Sequence, residues 1–275
     1  MLDDAAETAL ISAVRAAARF QIIPRYRALT ADEVRTKGRP DDLVTEADLT
    51  VERLLTEQIP SLLPGALVLG EEAAAHDPGL IARAVGHETC VIVDPVDGTW
   101  NFANGLSVFG TILAVLREGQ VVWGLLYDPL MDDWIVARKG RGVHYIRPGA
   151  APIPCQLGAA TPLAARLGLM APALFSADQR VGLATRAAAS FDRTMGLRCS
   201  CHEYRLMLRG SASWSLSASP MPWDHAAGVL AVTELGGHAA FTQDGAPYAP
   251  HRIDSPLLVA RDRWDWAEIH AALLT

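Results

Sequence analysis

Residues 94–102 read Asp-Pro-Val-Asp-Gly-Thr-Trp-Asn-Phe and directly follow the apolar run Cys-Val-Ile-Val at residues 90–93. A short apolar run of this kind predicts a buried strand. We expect the strand to stop pairing at Asp94-Pro95, because proline fixes φ and has no N–H to donate. Asp94 and Asp97 would then lie on one turn and face the same point.

Two carboxylates this close repel each other unless a cation neutralises them. Hard oxygen ligands suit Mg²⁺, and the carbonyl of Val96 can add one more. Gly98 lets the backbone approach a ligand closely, and a helix beginning at Thr99 would direct N–H groups at an anion. The stretch therefore indicates a metal and phosphate site, although Asp-Pro and Asp-Gly are also ordinary turn dipeptides.

Three other segments place acids at the ends of predicted elements. Glu71, in Gly-Glu-Glu, follows the predicted strand 66–69, and Asp224 lies in the first turn of a helix that begins at Pro222. Residues 42–48 read Asp-Leu-Val-Thr-Glu-Ala-Asp, with Lys37 shortly before them. Taken singly, these segments are also typical of a solvated acidic turn, a favourable acid at a helix N-terminus and a helix cap.

Hydrophobic periodicity predicts a mixed α and β chain, with an antiparallel meander in the first half and α/β alternation in the second. Glu118-Gly119-Gln120 predicts a hairpin. Residues 147–163 are rich in Pro, Ala and Gly and are interpreted as the connection between the halves. The expected helices are 3–23, 42–59, 177–190, 202–209, 222–235 and 262–274, and the expected strands are 66–69, 89–93, 109–116, 121–127, 133–137, 142–146, 165–170, 213–218 and 257–260.

Composition excludes several kinds of partner. The chain has 275 residues and a formal net charge of -7 without a run of basic residues, which argues against nucleic acid and anionic membranes as partners. Acids near the N-terminus and an apolar run (105–116) too short to span a bilayer favour a cytoplasmic protein. Four cysteines do not suggest a disulfide framework, and Cys-Ser-Cys-His at 199–202 has no second Cys/His pair at zinc spacing.

Together, Gly-Glu-Glu, residues 94–102, residues 42–48 and the segment Trp-Asp-His-Ala-Ala-Gly from Trp223 resemble the inositol monophosphatase family of lithium-sensitive, magnesium-dependent phosphatases. The resemblance implies a layered αβαβα fold in a single domain, 1–275. Residues of about 1–150 would bind metal and phosphate, and 151–275 would complete the site. It also implies a homodimer and two or three Mg²⁺ ions per site.

The resemblance further assigns roles to residues. Thr99 and Asp48 would activate the attacking water with help from Glu71, Gly98 and Thr99 would hold phosphate, and Lys37 would lie at the rim. The implied metal ligands are Glu71, Asp94, the Val96 carbonyl, Asp97 and Asp224.

The chain departs from the family pattern on the substrate side. Ser217 stands seven residues before Asp224, where the family often has a glutamate that holds inositol hydroxyls. The family's Gly-Ser-Ala stretch falls by spacing at residues 198–200, Arg-Cys-Ser, and Trp100 is larger than the commoner Thr or Lys. We therefore expect intact phosphatase chemistry with an altered wall for the substrate, to which Ser217 would contribute.

The resulting hypothesis is a Mg²⁺-dependent phosphomonoesterase acting on a small phosphorylated polyol or sugar, such as inositol 1-phosphate or fructose 1,6-bisphosphate. Histidinol phosphate and 3′-phosphoadenosine 5′-phosphate are alternative substrates. An alternative of another class is a regulatory partner associated with RNA polymerase. The presence of both Asp48 and Thr99 argues against that class, because a purely regulatory protein has no use for a water-activating pair. The sequence leaves the roles of Cys199, Cys201, His202 and His225 open.

Overall fold

The computed structural model describes residues 2–275. Its helices are α1 (Asp4–Ala17), α2 (Glu46–Leu62), α3 (Glu71–His76), α4 (Leu80–Val85), α5 (Thr99–Ala103), α6 (Ala177–Ser190), α7 (Ser200–Met207), α8 (Pro222–Glu234) and α9 (Arg263–Leu274). Its strands are β1 (Val34–Thr36), β2 (Leu43–Thr45), β3 (Leu67–Gly70), β4 (Thr89–Asp97), β5 (Gly110–Arg117), β6 (Gln120–Asp128), β7 (Asp133–Arg138), β8 (Gly142–Ile146), β9 (Ile153–Pro154), β10 (Gly168–Met170), β11 (Thr194–Met195), β12 (Trp214–Ser217), β13 (His238–Phe241) and β14 (Leu257–Ala260).

The first half of the chain builds a seven-stranded sheet in the order β3-β4-β5-β6-β7-β8-β9. β3 and β4 pair in parallel, and each later strand pairs antiparallel with its predecessor, which confirms the predicted meander. Glu118 and Gly119 both adopt positive φ in the β5–β6 hairpin. Because β3 and β4 are parallel neighbours, the residues that follow them lie at the same sheet edge.

The second half builds a five-stranded sheet in the order β11-β10-β12-β14-β13. β10 pairs in parallel with β11 and β12, whereas β14 pairs antiparallel with β12 and β13. β13 was not predicted, since only three residues separate it from the end of α8. The helices between these strands confirm the predicted α/β alternation.

Alternating side chains on the strands divide the interior into layers. On β4, Val91 and Val93 join the core beneath α1 and α2, whereas Ile92 faces α7, α8 and the second sheet. On the far side of the second sheet, Trp214 and Leu216 pack with α6 and α9. The order α1–α2, sheet, α7–α8, sheet, α6–α9 is the expected αβαβα arrangement.

The predicted helix 42–59 is wrong at its start. Leu43–Thr45 forms β2 and pairs antiparallel with β1, so residues 34–45 are a hairpin. Thr45 ends the strand and caps α2, since its side chain accepts from the backbone N–H of Ala47 while Asp48 bonds back to Thr45. The helix therefore begins later than periodicity predicted.

The prediction that the strand stops at Asp94-Pro95 is also wrong. β4 continues to Asp97, with Asp94 opposite Ile112 and Asp97 opposite Gly110, so one extra residue is accommodated in a β-bulge. Residues three apart on a regular strand point to opposite faces, and the extra residue cancels that alternation. The bulge therefore allows Asp94 and Asp97 to face the same point.

Other differences are local. α1 ends at Ala17 and continues as a π-helical turn through Ile22, α7 begins at Ser200, and β10 covers only the end of the expected strand 165–170. Within residues 2–275, no helix combines the length and hydropathy needed to cross a bilayer.

Candidate active site

Three aspartates converge from two elements. Asp94 and Asp97 come from the bulged end of β4, and Asp224 from the first turn of α8. One carboxylate oxygen from each lies within 4.8 Å of the other two. Oδ1 of Asp94 is buried and has no hydrogen-bond partner among the described residues. A buried carboxylate oxygen without a donor is the arrangement expected where a cation supplies the missing partner.

Burial and mutual repulsion act together on these carboxyl groups. Burial, with the charges of Glu71 and Asp97, raises the pKa of Asp94 well above its ordinary value. Burial, followed by the charges of Asp97 and Glu71, does the same for the pKa of Asp224. The pKa of Asp97 is raised by burial to about 6, although backbone N–H donors oppose the shift. The set is all oxygen and strongly anionic, so it fits a hard divalent cation.

Thr99 and Asp48 form a hydrogen-bonded pair beside this cluster. The Thr99 hydroxyl lies 3.1 Å from Oδ1 of Asp48 and 3.0 Å from the carbonyl oxygen of Val96. Because a hydroxyl has one proton, it donates to only one of these two oxygens at a time. Asp48 is held by the N–H and hydroxyl of Thr45, at 2.8 and 2.5 Å. Burial raises the pKa of Asp48 to about 7, in the range of a general base.

Gly98 permits the turn between the bulge and α5. Its φ is +85°, and a Cβ there would lie 2.9 Å from the carbonyl oxygen of Val108. Any other residue would be strained and would clash. The turn places Thr99 at the start of α5, as expected.

Glu71, the first residue of α3, contacts Lys37 from the β1–β2 hairpin. Nζ of Lys37 lies 2.7 Å from Glu71 and 2.5 Å from Glu72. Burial lowers the pKa of Lys37, but the Glu71 and Glu72 carboxylates outweigh this effect and raise it above its ordinary value. Lys37 thus remains a cation at the edge of the acidic cluster.

Sequence reasoning missed Glu52, a buried glutamate on α2. Its two carboxylate oxygens accept the backbone N–H groups of Glu72 and Ala73, each at 2.8 Å. A Cβ at Gly70 would lie 2.1 Å from the Glu52 carboxyl carbon, so a glycine is needed where β3 ends. The signal in the sequence was an acid between Val51 and Leu55, on the apolar face of a predicted helix.

Ser217 lies at the end of β12 and bonds to the helix that carries Asp224. Nε2 of His225 is 3.0 Å from the Ser217 hydroxyl, and Nδ1 is 2.8 Å from the hydroxyl of Tyr204. Burial lowers the pKa of His225 to about 3, so this histidine is neutral at pH 7. His225, whose role the sequence left open, is therefore a buried hydrogen-bonding support for Ser217.

Residues 199–202 do not meet at a common point. The Cys199 thiol donates to Oδ2 of Asp97 at 3.1 Å, and the Cys201 thiol to the carbonyl of Tyr127 at 3.6 Å. Nε2 of His202 lies 3.0 Å from the carbonyl of Phe109. Within residues 2–275, Asp94, Asp97 and Asp224 are the only group of three or more His, Cys, Asp or Glu side chains placed closely enough to hold one metal ion.

A sequence profile of the inositol monophosphatase family matches residues 4–274. The chain belongs to the inositol monophosphatase family. An inositol-1-monophosphatase of Caulobacter vibrioides is 30% identical over 239 residues, which cover 83% of this chain and 86% of that protein. A histidinol-phosphatase of Chlorobaculum parvum is 28% identical over 207 residues, 72% of each chain. The solved structure of extragenic suppressor protein suhB from Bartonella henselae superposes with a TM-score of 0.81 at 22% identity and covers 99% of both chains.

Membership in the inositol monophosphatase family makes this chain a phosphatase of phosphate monoesters and a member of a metal-dependent group. The three clustered aspartates give the chain an acidic group of the kind that a metal-dependent enzyme requires. The predicted inositol monophosphatase family and the predicted layered αβαβα fold are both confirmed.

Proposed function

We propose that this chain is a Mg²⁺-dependent phosphomonoesterase for a small phosphorylated polyol or sugar. The observation that supports it most directly is the convergence of Asp94, Asp97 and Asp224, with one buried carboxylate oxygen left without a donor. Glu71 and the Val96 carbonyl would complete the ligands, for two or three ions. When bound, Mg²⁺ neutralises the phosphoryl oxygens and the leaving oxygen and lowers the pKa of water.

The chain's own residues would orient the phosphate and the nucleophile. Backbone N–H groups of Gly98 and Thr99 would bind the phosphoryl oxygens, because they lie at the start of α5 directly after Asp97. The Val96 carbonyl would serve as a metal ligand, and the Thr99 hydroxyl would then donate to Asp48. Its oxygen would accept a hydrogen bond from the attacking water, and the proton would move towards the Thr99–Asp48 pair, with Glu71 assisting.

The substrate class follows from the residues outside this machinery. Ser217 and Lys37 would contact the leaving group, and a serine cannot hold two hydroxyls as a glutamate does. We infer a weak preference for inositol 1-phosphate over other small phosphomonoesters. The histidinol-phosphatase among the relatives makes histidinol phosphate the second candidate substrate. 3′-Phosphoadenosine 5′-phosphate belongs on the same panel.

Release of inorganic phosphate from that panel tests the proposal. The protein should release phosphate with Mg²⁺, lose activity in excess chelator and regain it when Mg²⁺ is restored, and Li⁺ should inhibit. The Asp94→Asn variant should be inactive, whereas Asp178→Asn, on α6, is the matched control and should behave as wild type. Undiminished hydrolysis in chelator, or activity in Asp94→Asn, would refute the metal-dependent mechanism.

We further propose that the chain is one catalytic domain whose two halves meet at the site. The family resemblance also favours a homodimer. Its four cysteines are unpaired in the structure, which suits a reducing compartment such as the cytoplasm.

A further inference from the structure

The loop before α7 is held rigidly against the phosphate-binding turn. The Asp97 carboxylate accepts the backbone N–H groups of Ser200 and Cys201, at 3.1 and 2.5 Å. The side-chain amide of Asn101 donates to the carbonyl of Leu197 at 2.8 Å. These bonds fix the backbone of the two residues between them, Arg198 and Cys199, and Arg198 has a φ of +54°.

Arg198 is therefore anchored at the site by its main chain. Its carbonyl oxygen lies 3.2 Å from the position that a Cβ of residue 98 would occupy. Its guanidinium extends across the ring of Trp100, at 4.8 Å from the ring centroid. The two residues that depart from the family pattern in this region are thus in direct contact.

The guanidinium reaches the opposite side of the site as well. Nη2 of Arg198 lies 3.0 Å from the carbonyl oxygen and 3.3 Å from Oδ2 of Asp41, in the hairpin that carries Lys37. Arg198 thus spans from the phosphate-binding turn to the hairpin whose lysine contacts Glu71. This span places a cation over Trp100, which lies in the turn that follows Asp97 and Gly98.

The guanidinium has unused binding capacity. Within residues 2–275, Nε and Nη1 donate to no protein atom, and 39% of the side chain is exposed. An arginine held over an aromatic ring is pre-organised for planar, bidentate binding of a carboxylate or phosphate. The Asp41 carboxylate, itself 38% exposed, already provides a ligand of that chemistry from within the chain.

We propose that Arg198 is a specificity residue that binds a second anionic group, a carboxylate or phosphate, on the leaving-group part of the substrate. Asp41 holds the guanidinium in position and is displaced by that group. The preferred substrate is then a small phosphomonoester with two anionic groups. This inference rests on the proposed phosphatase function.

Two substrates with one carbon skeleton test it, namely 2-phosphoglycerate, which has a carboxylate, and glycerol 2-phosphate, which has a hydroxymethyl group in its place. The measured quantity is the ratio of their kcat/KM values with Mg²⁺. Arg198→Gln should lower the ratio about 10- to 100-fold, mainly by weakening the binding of the carboxylate-bearing substrate, because it removes a charge-assisted bond. Asp41→Asn should raise the ratio, because it removes the internal competitor.

Arg209→Gln is the control, since Arg209 also lies over an aromatic ring, that of Tyr145, but outside the site. It should leave the ratio unchanged. Equal loss on both substrates in Arg198→Gln and Asp41→Asn would show that the pair only fastens the hairpin, and would overturn the specificity role. If wild type releases phosphate from neither of these substrates nor any of the panel above, the proposed function fails and this inference with it.

Discussion

Thr99 and Asp48 belong to different helices and act as one unit only because the fold brings them together. The hydroxyl of Thr99 is 3.1 Å from Asp48, whose other oxygen is occupied by Thr45. Asp48 therefore has one free oxygen, and it faces the hydroxyl. In the proposed mechanism, this single threonine would bind phosphate through its N–H and transfer the proton through its Oγ.

Replacing Thr99 by Ala removes the hydroxyl and keeps the backbone N–H. We expect kcat to fall on the order of 10²–10⁴-fold, the usual contribution of positioned proton transfer, with little change in KM. Asp48→Asn should show a similar defect, and the double variant should be little worse than either single variant. Steady-state kinetics on the substrate that wild type hydrolyses best is the measurement.

Thr99→Ser is the matched control, because it restores a hydroxyl at the same position, and it should recover most of kcat. Near-wild-type kcat in Thr99→Ala would reduce Thr99 to a backbone contact. Glu71 would then be the first residue to test as the base.

At the scale of elements, α3 is positioned by a charge on its neighbour. Glu52 on α2 accepts the N–H groups of Glu72 and Ala73 in the first turn of α3. Free N–H groups at a helix N-terminus are normally satisfied by a capping residue, and Gly70 has no side chain with which to do so. Glu52 supplies that function from another helix and so sets the direction of Glu71.

Glu52→Gln keeps the shape of the side chain but removes its charge and one acceptor. We expect the Mg²⁺ concentration for half-maximal activity to rise about 10- to 100-fold, as for other residues that orient metal ligands. The control is Glu57→Gln, an exposed glutamate on the same helix that pairs with Arg53. An unchanged Mg²⁺ requirement in Glu52→Gln would show that Glu71 does not depend on this contact.

The acids at element ends could be predicted from the sequence because their signals are local. Gly70-Glu71, the Asp94–Thr99 turn and Asp224 each combine a strand or helix boundary with a carboxylate within a few residues. The bulge in β4 depends on pairing with β5, and β2 forms because β1 is present to pair with it. The contact between Arg198 and Asp41 joins residues 157 positions apart, which no local pattern can reveal.

On the scale of the whole molecule, the protein gathers acidic groups at the meeting point of its two halves at a cost in stability. The folded pKa values of Asp97, about 6, and Asp48, about 7, lie above the ordinary value of 3.8. The folded state therefore binds more protons than the unfolded state between pH of about 4 and 7. Proton binding to these two carboxyl groups therefore stabilises the folded state at low pH. This stabilisation is lost as the pH rises through 6 to 7.

A divalent cation should replace those protons. We therefore expect Mg²⁺, at about 100 times the Kd that it has at pH 8, to raise the Tm by roughly 5 °C or more at that pH. The same Mg²⁺ concentration should raise the Tm by clearly less at pH 5, where protons compete for the carboxylates. Differential scanning calorimetry with and without Mg²⁺ at both pH values measures this. The Asp224→Asn variant should lose most of the increase at pH 8. An equal or larger increase at pH 5 would contradict the assignment of these carboxylates.

The proposed mechanism requires one metal site, built from Asp94, Asp97 and Asp224, to face the phosphate-binding turn at Gly98 and Thr99. A crystal structure of the protein grown with Mn²⁺ and inorganic phosphate would locate both ligands, because manganese is identified by its anomalous scattering. We predict an anomalous peak ligated by oxygens of all three aspartates, with phosphate bound to that ion and to the N–H groups of Gly98 and Thr99. A metal bound elsewhere, or phosphate held away from this turn, would refute this site.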